Sequence, residues 1–520
     1  MKPECYELPY AETPAFSSTN SWEWLRTASG KTSSESKLLQ LVRGSMLSLW
    51  SIPGPYTNEG LARCGAGTEL CDLVVIFEDN VLLFSDKDCV FPEHTNAKVA
   101  WSRWYRRAIE KSARQLSGAA ASVQRHGVRL FSDATCRSEL PLQLPPVERM
   151  RIHRIAVAHG SMRATELYWE SFGGTRGSSG SLFLNNQLIG KEHYEEPFHI
   201  GWPLGLDEFV HVLDDLTLSL LLQELDTVAD FTDYLAKKEK LLRMPGCHFL
   251  IPGEEELLTM YLSTVHKGKT NHFPDFECGA AIVLREGTWN KFRRSKAYAA
   301  RSNANALSYL WDNLIEYQAS HVIHGSSEEL FVGENYQSLN ISEKLLRVMA
   351  SENRLSRRSL GVTLREGRNI SSGTKRLFRT IAMSDRQRLY CFVFLPYFPK
   401  EQQHEEYRQY RQYLLHLYCE GALLHFDQVK EIIGIAPDPY SSDIASVDFM
   451  FLNVRDTSIN SEDLSDLKIR LRRENVWNGN QVRTQTVYDV AFPYYPNIFE
   501  RALRVGKRIT KKFLLRTPRA

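Results

Sequence analysis

The chain has nine cysteines, an odd number, and no two of them stand in a CxxC spacing. That scatter disfavours both a structural zinc ribbon and a disulfide framework, and a reducing cytoplasmic setting is expected. Long apolar runs are missing too. The most hydrophobic windows, such as LTLSLLLQEL, are too short and too polar to span a bilayer. The opening MKPECYELPYAETP is polar and proline-bearing, unlike a secretory leader. No charge of one sign dominates, since 64 Lys and Arg meet 62 Asp and Glu for a net charge of +2. Attraction to nucleic acid must therefore come from local patches. Walker motifs, dinucleotide fingerprints, a Ser-His-Asp order and a cysteine-nucleophile signature are all absent. GGTRGSSGS (173–181) lacks the Gly-Lys-Ser/Thr ending of a phosphate cradle and leads into a strand-like SLFLNNQLIG, so a flexible loop is expected there.

What remains is an ordinary globular composition, 43% hydrophobic and 24% charged, over 520 residues. That length suits roughly two to four domains. Residues 1–34, rich in Ser, Thr and Pro, read as an irregular lead-in. From Glu35 onward the pattern is helix, hairpin, helix, three strands and helix, an α/β unit ending near residue 243. Its first helix, SESKLLQLVRGSMLSLW, has Ser34 as a candidate N-cap, and WSRWYRRAIEKSARQLSGAAASVQRHG reads as one amphipathic helix closed by Gly127. A mainly helical middle unit (244–380) follows, then an α/β unit (381–500) and a basic tail (501–520) without acids.

The most informative stretch is ELCDLVVIFEDNVLLFSDKD, residues 69–88. Two apolar runs flank a turn at Glu78-Asp79-Asn80, which places Asp72 opposite the Ser85-Asp86-Lys87 group. These charges are either solvated strand ends or a gathered set of metal ligands. Carboxylates on adjacent strands can hold Mg²⁺ or Mn²⁺ against a phosphate, and a neighbouring lysine can orient water or stabilise developing charge.

Helix, acid, strand, turn, strand ending in lysine, then a helix with polar residues: this order resembles the restriction-endonuclease-like PD-(D/E)xK superfamily, near its nuclease-related NERD-type branch and bacterial proteins of similar layout. Over roughly residues 35–240 the resemblance implies a mixed sheet flanked by helices and metal-dependent cleavage of DNA or RNA. It implies that Asp72 and Asp86 are metal ligands and that Lys87 is the catalytic lysine. Glu69 is then the additional acid, Lys111 and Gln115 are the polar pair on the following helix, and Glu35 is an optional carboxylate. One departure stands out, because the family places an acid two residues before its lysine and this chain has Ser85 there. Strand alternation sets Ser85 and Lys87 on one face and Asp86 on the other.

Other features point the same way. Trp101, Trp104 and Tyr105 interleave with Arg103, Arg106 and Arg107, either an inward aromatic face with solvated arginines or a grip on nucleic acid. An arginine-rich stretch that includes Arg357 and Arg358, and a tail that includes Lys511 and Lys512, are candidate phosphate contacts. His153 and His159 read as satisfied core or edge residues, and Asp214 with Asp215 as helix caps. The expectation is a cytoplasmic, metal-dependent nuclease, a design suited to bacterial defence against phage or mobile DNA. The alternative is an inactive nuclease-fold scaffold that binds nucleic acid, a protein partner or a second copy through its C-terminal half.

Overall fold

A computed structural model describes residues 22–125, 127–173, 181–264, 271–325, 330–332, 338–383, 387–443, 445–454, 461–477 and 490–492. The loop expected at 173–181 and the whole basic tail, with Lys511 and Lys512, fall largely or wholly outside these residues. The chain is α/β. Its strands in chain order are β1 (Ser51–Pro53), β2 (Tyr56–Thr57), β3 (Thr68–Glu69), β4 (Leu73–Phe77), β5 (Asn80–Asp88), β6 (Leu130–Phe131), β7 (Arg151–His159), β8 (Phe183–Ile189) and β9 (His199–Trp202). They continue with β10 (His211–Asp214), β11 (His248–Ile251), β12 (Ala281–Val283), β13 (Leu330–Val332), β14 (Leu377–Ala382), β15 (Arg388–Phe394), β16 (Glu431–Pro437) and β17 (Val447–Asn453).

The first sheet has the order β1-β4-β5-β7-β10. β1, β4 and β5 run as an antiparallel meander, after which β7 lies parallel to β5 and β10 parallel to β7. The parallel join requires a crossover. Ala97–Tyr105 and Lys111–Val123 supply it, linked through a π-helical turn at Arg106–Glu110 where one unbroken α-helix was expected. The wide turn re-phases the helix. Trp101, Trp104 and Tyr105 bury against Phe198, whereas Ala113, Leu116 and Ala120 bury on the sheet core. Arg103 and Arg107 are exposed on the outer side. The inward-aromatic arrangement is the one found.

A second sheet, β12-β11-β8-β9, crosses the boundary expected at residue 243, because β8 pairs antiparallel with β11. The helix expected from Leu216 to Leu242 is two helices, Asp215–Glu224 and Val228–Leu242, with Asp214 and Thr227 as their caps. The third sheet, β13-β17-β16-β15-β14, shows clean period-two burial. Tyr390, Phe392 and Phe394 face the core shared with the first sheet, and Leu389, Cys391 and Val393 face the His404–Ala422 helix. That shared core runs from Trp22 to Phe451, so apolar packing continues across the expected domain boundaries. Among the described residues no helix is long and apolar enough to cross a membrane.

The arginine-rich stretch requires a correction. It forms the helix Arg354–Ser371, and Arg357 and Arg358 are buried in it. Arg357 donates to Asp312 Oδ1 (2.5 Å) and to the carbonyls of Glu352 (2.8 Å) and Ala350 (2.6 Å). Arg358 donates to Asn305 Oδ1 (2.7 Å) and to the carbonyls of Val490 and Ala491. Their donors are committed to the interior, so neither can meet a phosphate.

Candidate functional site

β4 is buried along its whole length, and its partner β5 is buried from Val81 to Asp86. The register Leu73↔Phe84 to Phe77↔Asn80 leaves Glu78 and Asp79 as a two-residue turn, with Glu78 at φ +52°. Closing the hairpin this way brings Asp72 level with Ser85, at the mouth opposite the turn. The Asp72 amide donates to the Phe84 carbonyl (3.1 Å) and extends the ladder by one residue.

At that mouth the structure joins Asp72 to Lys87. Asp72 Oδ2 accepts the Asp86 amide at 2.6 Å and lies 3.4 Å from Lys87 Nζ. Both bonds fall on one oxygen, and Oδ1 has none among the described residues. The Lys87 side chain keeps 23% exposure, so its ammonium reaches solvent from a largely buried base. Ser85, fully buried, donates to Gln115 Oε1 (3.4 Å), and Ser112 donates to the Ser85 carbonyl (3.3 Å). These contacts clamp the Lys111–Val123 helix onto this face of β5. Anchoring Gln115 by its oxygen leaves its amide NH₂ group as a donor. Lys111, one turn earlier, is exposed.

Asp86 turns the other way. Its carboxylate accepts from Ser34 on the Ser33–Met46 helix and from His159 Nε2 at 2.5 Å, and only 1% of its side chain is exposed. The pairing of β5 with β7 sets Asp88 beside His159, so Asp86 and His159 share a face by alternation. Asp72 and Asp86 therefore direct their carboxylates to different faces of the hairpin, and they do not form the two-acid cage expected of them. Glu69 is also diverted. It pairs with Lys31 Nζ at 2.6 Å, and Lys31 in turn donates to Tyr56 Oη at 2.8 Å. Glu35 accepts the Lys31 amide (2.8 Å).

A cation held here would rely on few protein atoms. Among the described residues no cluster of three or more His, Cys, Asp or Glu is arranged to hold a metal ion. The Asp72 carboxylate, with one oxygen uncommitted, fits an Mg²⁺ ion that keeps its waters and completes its shell with a substrate phosphate. It does not fit a closed protein cage. Cys71, beside Asp72, is no nucleophile, because complete burial and the neighbouring carboxylate push its thiol far up.

Sequence reasoning missed several members of this neighbourhood. Ser34 was expected to cap its helix, but Thr32 does so by accepting the Glu35 amide, and Ser34 reaches Asp86. His159 was assigned to the core or an edge, yet it is the main partner of Asp86; its alternation with Asp86 across β5 and β7 was the only available signal. Lys31 and Tyr56 carried no signal in the sequence. Comparison of the chain with protein-family models, with characterised proteins and with solved structures yields no match.

Proposed function

We propose that this chain is a phosphodiester hydrolase of nuclease-like type, acting at the mouth of the β4–β5 hairpin. One observation carries the reading: Asp72 and Lys87 converge at 3.4 Å on one face, with the Gln115 amide nearby through Ser85. Supporting it is the topology, an antiparallel meander continued by a parallel strand through a helical crossover, as the family resemblance implies. Asp72 would hold a magnesium or manganese ion, which when bound polarises a phosphoryl oxygen and acidifies a water. Lys87 presents a positive charge where negative charge grows on the phosphoryl oxygens. Asp72 fixes the lysine's direction. Gln115 offers its amide hydrogens to a further phosphate oxygen. DNA or RNA is the substrate class that such a site addresses.

The test is cleavage of supercoiled plasmid and of labelled single-stranded DNA and RNA by the full chain, with Mg²⁺, Mn²⁺ or EDTA. Lys87→Ala and Asp72→Asn should each cut the rate by about 100-fold or more while remaining folded. Equal cleavage by all three chains would remove the proposal. A second reading has its own support: Ser85 occupies the position of the second acid, and the Asp86 carboxylate is engaged by Ser34 and His159. On that reading the chain binds nucleic acid without cutting it. Steeply salt-dependent, metal-independent binding without cleavage would favour it, as would cleavage gained by Ser85→Glu given room by Gln115→Ala.

A further inference from the structure

Beside the hairpin mouth lies a cleft of about 370 Å³, walled by Trp24, Gly30, Lys31, Glu35, Gly54 and Tyr56 among others. We propose that this cleft is a base-binding subsite, which takes a nucleobase carrying an exocyclic amine beside a ring-nitrogen acceptor, as adenine and cytosine do. The proposal rests on the phosphodiesterase reading for the placement of the adjoining phosphate.

Four observations point to this ligand. The volume lies within the range of small-ligand pockets. Two walls are aromatic, and such rings accept a flat π-surface at little conformational cost. The indole Nε1–H of Trp24 is buried without an acceptor among the described residues, a donor whose desolvation only an incoming acceptor would offset. Glu35 spends one carboxylate oxygen on the Lys31 amide and has no bond from the other among the described residues, which leaves an acceptor for an amine. The charge of the walls favours a base over a phosphate. Lys31, the cation among the named walls, is already neutralised by Glu69 at 2.6 Å and lies over the Tyr56 ring.

The cleft is also tied to the hairpin through the backbone. Gly54 donates its amide to the Asp72 carbonyl (3.0 Å), and a Cβ there would come within 3.1 Å of Glu69 Oε1. Glu35 follows Ser34, which bonds Asp86. A nucleotide seated in the cleft would therefore lie next to the hairpin mouth, where Asp72 and Lys87 meet.

Binding can be read in the full chain made with 5-fluorotryptophan, in the Lys87→Ala background and in EDTA, so that nothing is turned over. The Trp24 resonance is identified by its loss in Trp24→Phe. AMP or CMP should move that resonance, UMP and ribose 5-phosphate should not, and Glu35→Gln should weaken the binding about ten-fold. No movement with any nucleotide overturns the subsite. An equal response to ribose 5-phosphate overturns it as well, because the cleft would then be a phosphate site, and an equal response to UMP overturns the edge recognition. The two readings fail separately. A Trp24 shift in a chain whose wild type never cleaves leaves the subsite and removes the hydrolase. Wild-type cleavage without any Trp24 shift removes the subsite alone.

Discussion

Replacing Arg357 with alanine separates a structural arginine from a nucleic-acid contact. Its side chain is 0% exposed, and its three bonds tie the start of the Arg354–Ser371 helix to Asp312 and to the end of the preceding helix at Ala350 and Glu352. Truncation strips two buried carbonyls of a charged donor, and each orphaned group costs about 1–3 kcal/mol. Asp312 keeps a second partner, Arg354 Nη1 at 2.7 Å, so its charge is not abandoned. The sum is about 3–5 kcal/mol, the range for breaking a buried ion pair and a large share of the about 5–15 kcal/mol that holds a domain together. Chemical denaturation followed by tryptophan fluorescence should show the midpoint falling sharply. Arg357→Lys should recover little, because one ammonium cannot reproduce a three-way fork. Arg365→Ala, at an exposed position of the same helix, should stay within about 0.5 kcal/mol of wild type. An Arg357→Ala chain with an unchanged midpoint but a shallower salt dependence of DNA binding would refute this reasoning and restore the phosphate-contact role.

Three further outcomes are expected. His153 is buried against Asn80, and burial, reinforced by Arg151, pushes it down to about 4. The unfolded chain then binds a proton that the fold refuses, so stability should fall by up to about 3 kcal/mol as pH drops from 6.5 towards 4; denaturation midpoints across that window should decline less steeply in His153→Gln. Gly367→Ala would set a Cβ 2.2 Å from Phe394 Cε2, so its melting temperature should fall by an amount that Phe394→Leu partly restores. Arg411→Met leaves the buried Asp438 and Asp448 facing each other and should cost about 3–5 kcal/mol in a denaturation titration, most of it recovered when both aspartates become asparagine.

The elements legible in the sequence were those with an internal signal. β5, β7, β15, β16 and β17 are long apolar or alternating runs, and the Ser33–Met46 and His404–Ala422 helices repeat at helical spacing. β11 and β12 are four and three residues long and exist through pairing with each other and with β8, more than 60 positions earlier. No local pattern announces such a strand, and missing them put a domain boundary through a sheet. The arginines failed for a related reason. A run of basic residues on a helix reads as a solvated or phosphate-facing surface until its acids are known, and Asp226 and Asp312, which pair with Arg354 and Arg357, come from distant segments.

The hairpin mouth shows the same limit in a sharper form. Alternation along β5 already separates Asp86 from Ser85 and Lys87, and the structure keeps that separation by giving the Asp86 carboxylate its own partners, Ser34 and His159. To join Asp72 on the other face, Asp86 would have to surrender two hydrogen bonds at a site that is almost fully buried, and β5 would need a bulge, whereas its register with β7 is continuous from Asn80 to Asp88. Each charge-assisted bond is worth about 1.5–3 kcal/mol, so the rotation opposes about 3–6 kcal/mol before any ion is bound. Hydrolysis at this mouth therefore has to work with one carboxylate, one lysine and whatever oxygens the substrate brings. That requirement predicts weak, substrate-dependent metal binding: calorimetry with Mn²⁺ alone should show little heat, and oligonucleotide should strengthen it. Tight Mn²⁺ binding by the free chain that Asp86→Asn abolishes would mean that the strand does turn over.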